Sequence, residues 1–235
     1  MDWFPLCNYT HYSLQRGFSK PKQLAKKCSK NFYLACGIAD YKSISGAISF
    51  YQACLDNNVK PIIGCSFDTF SLFAKNKDGW FNLIELVSSL DEEGNLDHSF
   101  LVNVTNRGNL ICLSKNETLS PIKGEDFYEK SDAFTDIYYT EKEEAELHRI
   151  MLCSSMKTTL PKINKALRDG KDVENHIFFE SNDFYLKNKT ELSEVIVNDN
   201  KLEQFKEILN KCENYNILSP PILPEFETPN GESQK

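Results

Sequence analysis

The chain has 235 residues, of which 40% are hydrophobic and 26% charged, and a formal net charge of −7; that is enough apolar material for one large domain or two small ones. No stretch reaches the roughly 18 uninterrupted apolar residues of a membrane span, and the start "MDWFPL" lacks the basic region and long apolar core of a secretory signal, so a cytoplasmic protein without a membrane partner is expected. Residues 1–60 hold eight Lys/Arg against three Asp/Glu and the remainder nineteen against thirty-one, an acidic body that argues against direct DNA binding by this chain alone, since phosphate contacts need clustered cations.

In chain order, "FPLCNY" supplies a first strand, and the basic run "KPKQLAKKCSK" (20–30) follows as a helix opened by Pro21, with Leu24, Ala25 and Cys28 on its inner face. "FYLACGIAD" (32–40) is a continuous apolar run that suits a strand buried on both faces. "ISGAISFYQACL" then spaces Ile44, Ala47, Ile48, Tyr51, Cys54 and Leu55 as on a helix, and "VKPIIGC" (59–65) is another buried strand. This is a βαβ unit, whose crossover makes the strands parallel; strands at 4–9, 32–39 and 60–66 are expected to be adjacent and parallel. "FSLFAKN" (70–76) reads as a strand and "GWFNLIELVSSL" (79–90) as an amphipathic helix. "SFLVNV" (99–104) and "NLICLS" (109–114) read as two strands paired through "TNRG". "AFTDIYYTEKEEAELHRIML" gives a strand ending near Tyr138 and a helix with a capping box from Thr140 to Glu143. Residues 154–176 are polar and poorly patterned, "FYLKNKTELSEVI" and "KLEQFKEILNKC" are helical, and "SPPILPEFETPNGESQK" is a proline-rich tail.

Eight cysteines (Cys7, Cys28, Cys36, Cys54, Cys65, Cys112, Cys153, Cys212) stand singly, several within apolar runs, which fits buried free thiols rather than disulfides or a zinc knuckle. His148, at helical spacing from Ala145 and Met151, is expected to be a semi-buried packing residue. His98 and His176 lie in polar segments and suggest no site.

"YSLQRG", "KPIIGC", "LFAKNKDGWFNLIELVS", "YYTEKEEAELH", "FYLKNKTELSE" and "ILPEFETPNGES" follow one another in the order of the landmarks of a known family. The chain resembles the PHP (polymerase and histidinol phosphatase) domain that begins the bacterial replicative DNA polymerase III alpha subunit. The resemblance is strong over residues 4–82 and patchy over 134–233. It implies an α/β fold, the distorted (β/α)7 TIM-like barrel of that family, over residues 1–218. Residues 219–235 then become a tail leading toward a polymerase body. In such barrels the chemistry sits at the C-terminal ends of the strands.

Matched on "YSL", the places where metal-binding members carry H-x-H on the first strand hold Cys7 and Tyr9 here, and a further histidine two residues earlier becomes Pro5. The aspartate and histidine ending the second strand become Asp40 and Tyr41. The glutamate after "IIGC" becomes Ser66, the histidine before "LFAKN" becomes Thr69, and the D-x-H before the late helix becomes Asp136 and Tyr138. Only Asp40 and Asp136 keep a good ligand for hard or borderline cations, and a metal ion needs about four to six donors. No metal and no other cofactor is expected. Asp40 is expected to cap the helix near Ser43 and Asp136 to accept bonds from loop amides, the two being separated, bridged by a cation such as Lys42, or singly protonated. Tyr9, Tyr41 and Tyr138 are expected to fill the barrel mouth and bond to these carboxylates.

The resemblance implies a non-catalytic PHP domain of a replicative DNA polymerase, with the polymerase body in cis or trans and a proofreading exonuclease as partners. The alternative is a metal-dependent phosphoesterase or exonuclease with a site rebuilt from Cys7, Asp40, Asp136 and His11. A third reading is an interaction protein that reuses the fold outside replication.

Overall fold

A computed structural model describes residues 3–131, 133–195 and 199–219. The elements run β1 (Cys7–Asn8), α1 (Pro21–Lys30), β2 (Ala35–Tyr41), α2 (Ala47–Asp56), β3 (Lys60–Ser66), β4 (Phe70–Ala74), α3 (Lys77–Ser88), α4 (His98–Thr105), β5 (Leu110–Ser114), β6 (Phe127–Glu129), β7 (Asp136–Ile137), α5 (Ala145–Ser155), α6 (Leu160–Arg168), α7 (Ile177–Glu180), α8 (Lys189–Val195) and α9 (Asp199–Lys211). The fold is mixed α/β. β2 and β3 pair in parallel over their whole lengths, Ala35 to Tyr41 against Lys60 to Ser66. The helix between them packs its buried Phe50, Ala53 and Cys54 inward, as the continuous apolar runs of the two strands require.

The strands form a five-stranded sheet, β2-β3-β4-β5-β6, and a separate pair, β1-β7. The all-parallel closed barrel expected from the family resemblance is therefore not formed as one hydrogen-bonded sheet among the described residues. β4 runs antiparallel to both β3 and β5, because only the short loop Phe67–Thr69 separates β3 from β4 and leaves no room for a crossover. β1 lies beside β2 rather than in its sheet: the Gly37 N–H donates to the Pro5 carbonyl at 2.7 Å. That approach is close enough that a Cβ on Gly37 would lie 2.2 Å from the Leu6 carbonyl oxygen, so β2 needs glycine there.

Three local expectations are corrected. "SFLVNV" is not a hairpin strand but lies in helix α4, which Asp97 caps by accepting from the Phe100 N–H at 2.8 Å; Leu101, Val104 and Thr105 form its buried face at helical spacing. The capping box before α5 is shifted by one residue, to Glu141 and Glu144. Within 154–176, read as unpatterned, α6 forms with Pro161 in its first turn and buries Ile163. The expected tail falls almost wholly on residues 220–235, outside the described residues. All eight cysteines are free and buried, and no helix among the described residues is long and apolar enough to cross a membrane.

Candidate functional site

The C-terminal ends of β1, β7, β2 and β3 converge on a cleft of about 380 Å³ whose lining includes Tyr9, Arg16, Tyr41, Lys130, Asp136 and Tyr138. The register of the parallel β1–β7 pair sets its arrangement. Cys7 stands opposite Asp136, and one step beyond the Asn8–Ile137 pair the rings of Tyr9 and Tyr138 stack, 4.7 Å between centroids and 6° from parallel. The residues of the two strands therefore face each other in two layers, Cys7 with Asp136 inside and Tyr9 with Tyr138 outside.

The inner layer holds an ion pair. Lys130 Nζ donates to both carboxylate oxygens of Asp136, at 2.6 and 2.8 Å, and the two side chains are 20% and 27% exposed. Burial works against the ammonium charge, but Cys7 and Asp136 outweigh it and hold the Lys130 pKa above its ordinary value. The Cys7 thiol is pushed up to about 12 by burial, with Asp136 adding to the shift and Lys130 opposing it; at neutral pH it is a thiol and no nucleophile. In the outer layer burial, followed by the charge of Asp136, raises both Tyr9 and Tyr138 well above a normal phenol.

Asp40 is 1% exposed and sits in a cage of uncharged donors. Its Oδ1 accepts from the Thr10 N–H and the Ser13 hydroxyl, both at 2.6 Å, and its Oδ2 from the Thr10 hydroxyl at 2.7 Å. Burial raises its pKa, while the bonds from Ser13 and Thr10 pull it back. Asp40 therefore ties the β1–α1 loop to β2 and does not cap α2, whose N-cap Gly46 has no side-chain partner. Asp136 takes an ammonium rather than loop amides. Of the three alternatives for these carboxylates, a bridge by Lys42 is not formed: Lys42 pairs with Asp68 at 2.8 Å.

The remaining positions are occupied by hydroxyls and rings. Tyr9 Oη shares a hydrogen bond with Ser66 Oγ at 3.1 Å, and Ser66 Oγ another with Ser71 Oγ at 2.6 Å. The Tyr41 hydroxyl donates to Asp68, and the Arg16 guanidinium lies 3.6 Å over the Tyr41 ring. The three tyrosines line the cleft, but Tyr9 and Tyr41 bond to Ser66 and Asp68 rather than to Asp40 and Asp136. Pro5 is buried, its carbonyl bonded to Gly37 and to the Asn8 side chain. Thr69 is exposed and contributes its carbonyl to Ser114. His11 is exposed, with Nδ1 3.3 Å from the Ser19 carbonyl, and does not line the cleft. His148 is buried; its Nε2–H donates to the Arg16 carbonyl at 2.7 Å and its ring lies 5.6 Å from Tyr138.

This donor set does not fit a metal centre. The Asp40 oxygens already accept three hydrogen bonds, the Asp136 oxygens share an ammonium, and Cys7 keeps its proton. No group of three or more His, Cys, Asp or Glu among the described residues is arranged to hold an ion. Sequence reasoning missed Thr10, Ser13, Arg16 and Lys130. Thr10 and Ser13 were open to inference, since a buried carboxylate needs nearby donors and "THYS" is the polar stretch next to the first strand. Lys130 gives no local signal; its role depends on how the chain turns between β6 and β7.

Residues 6–215 match the sequence profile of the PHP domain family. The chain is 26% identical to the DNA polymerase III subunit alpha of Borreliella burgdorferi, in an alignment covering 94% of this chain and 24% of that protein. It is 23% identical to the protein of the same name from Staphylococcus aureus, over 97% of this chain and 22% of that one. A 97-residue segment is 37% identical to the Buchnera aphidicola (Schizaphis graminum) protein of that name, covering 37% of this chain and 8% of the other. The chain thus spans about a quarter of the length of the relatives it matches end to end.

Proposed function

The chain belongs to the PHP domain family, and from that premise we propose that it works as a non-catalytic PHP domain of a replicative DNA polymerase. Its role is structural: it supports a polymerase body, in cis or in trans, and docks a partner such as a proofreading exonuclease. The observation that carries this reading is the replacement of ligand positions on several strands at once. Tyr9 beside β1, Tyr41 on β2, Ser66 on β3 and Tyr138 after β7 are bonded to or stacked on one another or Arg16, Asp68 and Ser71, while Pro5 is bonded to Gly37 and the Asn8 side chain and Cys7 is a buried free thiol. The nature of the partner rests on the relatives' name, DNA polymerase III subunit alpha.

The finer fold belongs to the same proposal. The β1–β7 pair and the five-stranded sheet are two arcs of one distorted (β/α)7 barrel ending near residue 218, and residues 219–235 form the junction toward the polymerase body. Support for the arcs comes from the Gly37–Pro5 backbone bond on one side and the Lys130–Asp136 pair on the other. Pull-down of the purified chain with the matching polymerase body and with the matching proofreading exonuclease tests the reading. Retention of either at micromolar concentration is the expected result. Retention of neither overturns the partner assignment and favours an interaction protein outside replication.

A further inference from the structure

Lys130 directly follows β6, the edge strand of the five-stranded sheet, and its N–H donates to the Ser114 carbonyl at 2.7 Å. Its side chain reaches the first residue of β7, in the other sheet. It therefore stands where hydrogen bonding between the two sheets is broken. Together Lys130 and Asp136 line both the cleft of about 380 Å³ at the strand ends and a neighbouring cavity of about 490 Å³ bounded by Phe134 and Phe184. Cys7 is the register partner of Asp136, and the charge of Lys130 acts on the Cys7 thiol as well as on Asp136.

We propose that Lys130 is a tethered substitute for a metal ion: a positioning residue whose fixed positive charge neutralises Asp136 and fastens β6 to β7 at the mouth. A metal ion would supply charge and cross-strand bonding at once. The ammonium supplies both, with two short hydrogen bonds to one carboxylate and a covalent tether to the opposing sheet. Unlike an ion, it cannot be chelated or exchanged. The proposal rests on reading these positions as a rebuilt metal site. Its test, however, measures the folding of the isolated chain and uses no polymerase partner, so a failed pull-down leaves it untouched.

The test compares thermal midpoints of the full chain and three variants: Lys130→Met, Asp136→Asn, and the two combined. Lys130→Met leaves the Asp136 charge without its partner and lowers the midpoint by about 5 °C or more. Adding Asp136→Asn to it removes the uncompensated charge and recovers most of that loss, and so does adding Mn²⁺ or Zn²⁺ to the single variant; neither ion moves the unsubstituted chain. Should Lys130→Met fail to fold, folding of the double variant near the midpoint of Asp136→Asn alone carries the proposal. A Lys130→Met chain as stable as the parent overturns it. So does a loss, or failure to fold, that neither Asp136→Asn nor an added cation repairs.

Discussion

Asp40, near the end of β2, and Asp136, at the start of β7, are held by different chemistry. Asp40 is sealed from water and bonded only to neutral donors, the Thr10 amide and hydroxyl and the Ser13 hydroxyl. Asp136 is partly open to the cleft and, among the described residues, is held by the Lys130 ammonium as its charged partner. The difference shows two ways in which a carboxylate near a strand end is held. Where a loop is drawn over it, hydrogen bonds from neutral donors hold it. Where it borders a gap between sheets, a tethered cation does.

The largest effect that would break this contrast is expected at Asp40. Asp40→Ala strips the acceptor from three buried donors at once and should cost about 3–5 kcal/mol of stability, read by urea denaturation. A loss below about 1 kcal/mol would mean that the hydrogen-bonded cage is not what anchors the β1–α1 loop.

Acid separates the two regions next. Burial lowers the pKa of His148 from 6.5 to about 4, so the folded chain holds this ring, which packs behind Tyr138, in its neutral form. The stability it contributes is fully present above about pH 6.5 and is lost as pH falls toward 4, by up to about 3 kcal/mol. Asp40 has the opposite sign: its raised pKa means that falling pH does not withdraw its contribution. The unfolding free energy should therefore fall between pH 6.5 and 4, and His148→Phe should flatten that slope while Asp40→Asn should not.

Smaller effects sharpen the contrast. Asp136→Asn keeps the shape and removes the charge that faces Lys130; because the pair is partly solvated, about 1–2 kcal/mol is expected from chemical denaturation, clearly less than at Asp40. Lys42→Ala breaks the pair with Asp68, whose side chain is 64% exposed, and should change stability by less than about 1 kcal/mol. An Asp136→Asn cost equal to that of Asp40→Ala would erase the distinction between the two environments.

The parallel β2–α2–β3 unit was readable from sequence because strands buried on both faces leave unbroken apolar runs on either side of a helical period. The six residues of "SFLVNV" carry the same kind of run, and a run that short does not discriminate strand from helix; the deciding residue is Asp97, which caps the helix from outside it. At the strand ends, matching against a family motif pointed to Tyr9, Tyr41 and Tyr138, which line the cleft. It could not find Lys130 or Arg16, whose side chains reach the site from a sheet edge and a loop. Nor could it show that Lys42, named only as one cation able to bridge the two carboxylates, pairs with Asp68, since sequence proximity to Asp40 says nothing about the direction in which the side chain leaves β2. The antiparallel β4 was legible only from the shortness of the loop at Phe67–Thr69.

Elemental analysis of the purified chain, paired with its thermal midpoint in the presence and absence of EDTA, tests the central claim most directly. Replacement of the metals by the Asp40 cage and the Lys130–Asp136 pair predicts no stoichiometric metal and a midpoint that EDTA leaves unchanged. Close to one equivalent of zinc, manganese or iron, together with a midpoint lowered by EDTA, would contradict the account and make Cys7, Asp40 and Asp136 ligands.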